Sequence, residues 1–95
     1  MMGVLFKAPF RKFVKKQSRP FQLAIEDEVE NILSNPDIGE VKKGDLSGFK
    51  VHKFNFKGQQ FLIAYLSQKN NIIFYLIESH ENFYQKLKRY IKGNE

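Results

Sequence analysis

Residues 49–56 read FKVHKFNF, and how this stretch divides its side chains between two faces decides the fold. Side chains alternate along a strand, so residues two apart share a face. Phe49 and Val51 have one parity, Phe54 and Phe56 the other. A strand covered on one side only would therefore expose an apolar pair. A β-bulge near His52–Lys53 would repair the register and turn all four apolar residues to one face. It would also bring Lys50, His52, Lys53 and Asn55 to the opposite, solvent face. We expect such a bulge. Downstream, KGQQ (57–60) is a hairpin turn, and FLIAYL (61–66) is apolar at both parities, as a central strand is. SQKNN (67–71) turns the chain again, and IIFYLI (72–77) is a second doubly apolar strand.

Upstream, SNPDIGEVKKGDLSG (34–48) is a loop by its Pro, Gly, Asn and Asp content. Two helical periods precede it. After Pro9, which suits a helix start, Phe10, Phe13 and Val14 fall on one face, with Arg11, Lys12, Lys15 and Lys16 on the others. Ser18, before Pro20, is a suitable N-cap. The second helix carries Phe21, Ala24, Ile25, Val29, Ile32 and Leu33 on one stripe, and Glu26, Asp27, Glu28 and Glu30 mostly on the other face. One helix is basic, the next acidic, and the turn between them is short, so they form an antiparallel hairpin. Val4–Phe6 reads as a short strand. At the other end, ESHENFYQKLKRY (78–90) opens a helix with Ser79 as N-cap and His80 as its first residue. Its core stripe is Phe83, Leu87, Tyr90 and Ile91, and Lys86, Lys88, Arg89 and Lys92 make the rest basic. The order is β-α-α-β-β-β-α: an α+β fold with a small antiparallel sheet, in one domain over residues 1–95.

The absence of cysteine excludes disulfide frameworks, thiolate nucleophiles and thiolate zinc sites, and agrees with a reducing cytosol. No apolar run reaches the roughly 18–20 residues of a membrane span, and no signal peptide is evident. A cytoplasmic protein is expected. The net charge of +6 suggests a polyanionic partner, or else serves solubility alone.

Two histidines carry the candidate chemistry. His80 and Tyr84 are spaced i, i+4, and so are neighbours on one helix face. A helix N-terminus favours a phosphate and a neutral imidazole, which is usable acid/base equipment. The alternative is a solvated surface histidine. His52, flanked by Lys50 and Lys53, falls on the polar side of its strand, where the lysines would hold and neutralise a phosphate. The alternative there is an edge strand guarded by lysines. A metal site is set aside, because no third ligand stands at a recognisable spacing. Exposed tyrosine among cations suits RNA, and Tyr84 is the one expected to face solvent.

Together these elements resemble the RelE/ParE superfamily of toxins from bacterial toxin–antitoxin modules. The resemblance spans nearly the whole chain and is most specific in GEVKKGDLSGFKVHKF (39–54) and SHENFYQKLKRY (79–90). It implies a small sheet with the helical hairpin on one side, and an acidic cognate antitoxin covering the basic surface of the first helix, first meander strand and last helix. The RelE-like branch implies a ribosome-dependent mRNA endoribonuclease without metal or cofactor, in which the 2′-OH of the RNA attacks the adjacent phosphate. The ParE-like branch implies a poison of DNA gyrase. A member acting only by binding nucleic acid or antitoxin is a third possibility. Under the endoribonuclease reading His80, His52 and Tyr84 are the catalytic candidates, with Lys50, Lys53, Gln60 and Arg89 on RNA or phosphate. Many relatives carry an arginine in the second meander strand. Here that region reads QQFLIAY (59–65), and phosphate stabilisation would rest on the lysines. Close approach of Lys50, His52, His80 and Tyr84 on one face favours the enzyme; scattered placement favours the binding modes.

Overall fold

A computed structural model describes residues 3–93. Three helices flank a five-stranded mixed sheet: β1 Gly3–Phe6, α1 Ala8–Lys15, α2 Arg19–Ser34, β2 Glu40–Val41, β3 Lys50–Phe56, β4 Gln59–Gln68, β5 Asn71–Ser79 and α3 His80–Gly93. A single 3₁₀ turn, Gly44–Leu46, lies between β2 and β3. The strand order is β1-β5-β4-β3-β2. The meander β3–β4–β5 is antiparallel, as the sequence requires. The sheet is mixed because β1 pairs in parallel with β5, reached by a connection through the whole hairpin and meander.

The expected bulge at His52–Lys53 is absent. β3 pairs with β4 without a slip, from Lys50 opposite Tyr65 to Phe56 opposite Gln59. The sheet is covered on both faces, so the change of parity needs no repair. Phe54 packs with Phe10, Phe21, Ile25, Phe61, Ile63 and Phe74 beneath the helical hairpin, with Phe56 at the edge of that cluster. Phe49 and Val51 pack with Leu62, Ala64, Leu76, Phe83 and Leu87 beneath α3. The actual irregularity lies between β4 and β5. Ala64 pairs with Leu76 and Tyr65 with Phe74, which leaves Tyr75 as the extra residue. There the strand presents both Tyr75 and Leu76 to the α3 face.

Local signals account for the ends of the elements. The Ser18 hydroxyl accepts from the Phe21 amide at 3.4 Å and caps α2. Lys57 and Gly58, with φ of 50° and 81°, make the two-residue turn between β3 and β4, and positive φ at both positions is the conformation that matches strand twist. The α3 stripe holds at Phe83 and Leu87, both fully buried, but not at Ile91, which is 39% exposed because the helix has by then run toward the rim of the sheet. No described helix is long and apolar enough to cross a membrane.

Candidate functional site

Strand alternation sorts the basic residues of 50–53 onto opposite faces. Lys50 and His52 lie on the hairpin face, where both are engaged. The Lys50 ammonium donates to Asp37 Oδ1 at 2.9 Å and to the Pro36 carbonyl at 3.4 Å. It holds the Asp37 carboxyl below its ordinary range by hydrogen bonding first and by charge second. His52 Nε2 stands 2.7 Å from Glu28 Oε1 on α2. A carboxylate only accepts, so Nε2 carries the proton there. Beside them the buried Tyr65 hydroxyl donates to the Pro36 carbonyl at 2.7 Å and accepts from the Gly39 amide at 2.9 Å. Burial raises the Tyr65 pKa, partly offset by the Gly39 bond. A Cβ on Gly39 would stand 2.6 Å from the Tyr65 oxygen, so only glycine lets the loop come this close. These groups pin the α2–β2 loop to the sheet. The expected common face of Lys50, His52, Lys53 and Asn55 does not exist, because it depended on the absent bulge.

Lys53 and Asn55 point instead to the α3 face, both exposed. The register aligns Lys53 with Leu62 and Leu62 with Glu78, and the next row aligns Asn55 with Gln60. Since neighbouring strands lie about 4.8 Å apart, Lys53 and Glu78 are about 10 Å apart across this row. β5 ends at Ser79 and α3 begins at His80, which is exposed just beyond the Gln60 row. The α3 N-terminus thus begins at the end of the meander next to the Gln60 row, with Lys53 two strands away on the same face. Glu78 Oε2 accepts from Lys86 at 2.8 Å, which supplies a second cation one to two turns along α3.

Tyr84 is half-buried rather than free in solvent, because its ring packs on the α3 core cluster. Lys42 covers it, with Nζ 5.2 Å from the ring centroid. Hydrogen bonding to Tyr84 is the main cause that raises the Lys42 pKa; burial opposes it, and Glu40, 3.3 Å away, adds to it. Sequence reasoning missed Lys42. It is placed by β2, which pairs with β3 through only Glu40–Val51 and Val41–Lys50, and two pairs leave no periodic signal. Arg89 is exposed on the outer side of α3. α1 packs on one face of the sheet and α3 on the other, and Lys7, at the start of α1, is the basic residue that reaches the α3 side. Among the described residues no group of three metal-ligating side chains is gathered.

The chain is thus a mixed sheet with a helical hairpin on one face and a basic C-terminal helix on the other. The profile of the ParE-like toxins of type II bacterial toxin–antitoxin systems matches residues 4–88, and the chain belongs to that family. Such a toxin has a cognate antitoxin as its partner. The solution structure of the conserved hypothetical protein HP0894 from Helicobacter pylori is similar to this chain at 20% identity and a TM-score of 0.49, covering 85% of this chain and 97% of that one. Comparison with curated proteins finds no match.

Proposed function

We propose that this toxin is an mRNA endoribonuclease acting on the ribosome, with its reactive end at the start of α3. The observation that carries this reading is the exposed His80 at a helix N-terminus, where β5 leaves the meander next to the Gln60 row. The 2′-oxygen of the RNA bonds to phosphorus while the bond to the 5′-oxygen breaks. The 2′-OH proton leaves, and the 5′-oxygen gains one. His80 is the group on this face whose imidazole has one nitrogen to accept a proton and one to donate it. Lys53 and Lys86 offset the charge that builds on the phosphoryl oxygens, and Gln60 donates a hydrogen bond. Lys42 and the α3 core fix the Tyr84 ring, which orients the RNA. His52 and Lys50 are positioning residues of the hairpin face, not members of the site.

A second reading, poisoning of DNA gyrase, is favoured by a specific observation. Strand parity puts Lys50 and His52 on the hairpin face, where Asp37 and Glu28 pair with them, and His80 is the lone histidine on the α3 face. Toe-printing of mRNA on programmed ribosomes decides between the two. Cleavage by the parent and its loss in His80→Ala is the expected result. No cleavage by either, with inhibition of gyrase supercoiling, makes the second reading the function.

A further inference from the structure

At the far end of α3, on the same face of the sheet, lies a depression of about 420 Å³ lined by Lys7, Phe49, Leu66, Tyr75, Tyr90 and Ile91. We propose that it binds one nucleotide of single-stranded RNA, with the base against Tyr75 and Tyr90 and the phosphate on Lys7. The proposal deepens the endoribonuclease reading and rests on it. Its volume lies within the range of roughly 300–1,000 Å³ typical of small-ligand sites.

The rings are set for stacking. Tyr75, brought to this face by the β5 irregularity, is braced edge-on by Phe49 at 4.9 Å and 81°, and by Tyr90 at 5.9 Å and 64°. Rings held this way lose little freedom when a base stacks on them. The Lys7 ammonium lies 5.6 Å from the Tyr75 centroid, over the ring. A nucleotide supplies both partners this pair needs: a phosphate that draws the ammonium aside and a base that takes its place on the ring. An acidic peptide supplies the charge but no flat π surface. Ile91 is shared with a smaller hollow lined by Lys88, Lys92 and Asp45, so the rim adds two cations against one carboxylate. Ten residues of helix separate His80 from Tyr90, about 15 Å at 1.5 Å per residue. The nucleotide held here therefore belongs to the strand being cut, at a distance from the scissile bond.

The test measures anisotropy of labelled single-stranded RNA hexamers with the full chain, its Tyr90→Ala, Tyr90→Phe and Lys7→Gln variants, over a range of salt. Tyr90→Ala should weaken binding roughly five- to a hundredfold, the worth of one base stack, while Tyr90→Phe should stay within about twofold. Lys7→Gln should lower the slope of log K against log salt by about 0.7, the loss of one phosphate contact on a single strand. Thermal melts monitor folding. These two sites are preferred to Tyr75, whose ring braces the core. Parental binding by both Tyr90→Ala and Lys7→Gln overturns the proposal, as does a folded parent that binds no hexamer. Loss of antitoxin binding in Tyr90→Ala with RNA binding intact also overturns it and gives the pocket to a protein partner. Ribosomal cleavage assayed in parallel separates the two ideas. A parent that cuts mRNA, with variants that bind normally, sinks the pocket alone. A parent that cuts nothing, with a Tyr90→Ala variant that loses RNA, sinks the nuclease alone.

Discussion

The two faces of the sheet treat polar side chains in opposite ways. On the hairpin face Tyr65, Lys50 and His52 each find a partner within the chain, on the α2–β2 loop or on α2. On the α3 face Lys53, Gln60 and His80 remain open to outside molecules, while Lys86 is paired with Glu78 and Lys42 with Glu40. Four consecutive residues, Lys50 to Lys53, contribute to both faces. Similar residue types therefore serve structure or recognition according to parity alone, and substitutions on the two faces should fail in different assays.

The largest effect we expect is on activity. His80→Ala should reduce ribosome-dependent cleavage by ~10²–10⁴, the usual contribution of a general acid or base, with an unchanged urea midpoint. A fall in stability to match would place His80 with the structural residues and erase the contrast. Next comes Leu87→Ala, which empties a fully buried position under α3 and should cost about 2–5 kcal/mol in urea unfolding. Tyr65→Phe keeps the ring but leaves the buried Gly39 amide without its acceptor. It should cost about 1–3 kcal/mol with cleavage retained.

How much of this was legible in the sequence depends on the range of the signal. Periodicity and Ser18 mark the helices, and runs apolar at both parities mark the central strands. The error at His52–Lys53 came from treating β3 as one-sided when Phe83 and Leu87 close the second face, a fact about α3 that no local pattern in 49–56 contains. The same error gathered Lys50 and His52 into the candidate site. His80 and Tyr84 need only a helix start and an i, i+4 spacing to share one face of α3. Lys42 needed a two-residue strand, and was missed.

Two smaller effects sharpen the contrast. His52→Ala should cost about 1–3 kcal/mol, since the half-buried Glu28 loses its donor, and a double-mutant cycle with Glu28→Gln should show coupling while cleavage stays near parental. Cleavage lost as completely as in His80→Ala would return His52 to the site. Smallest of all is Asp37→Asn, because Asp37 is fully exposed. Its carboxyl is depressed by Lys50, so its contribution is present above the ordinary value of 3.8 and is lost as pH falls through the lowered one. Urea midpoints of variant and parent should differ slightly at pH 7 and converge in stronger acid; a difference that grows with acidification would mean the pairing is not what holds Asp37.

The parallel pairing of β1 with β5 imposes a calendar on assembly. Gly3 meets Asn71 and Phe6 meets Phe74, so β1, made before the meander, waits for the meander's last strand. Hairpins close locally, whereas this contact must pay the loop entropy of most of the chain. Pulse-labelled amide exchange should show β3–β4 protected before β1, and simultaneous protection would remove the ordering. With that ordering, a nascent toxin emerging from its own ribosome carries an unfinished sheet until β5 is out. The cell making it gains an interval in which the poison exists as polypeptide but not yet as a weapon.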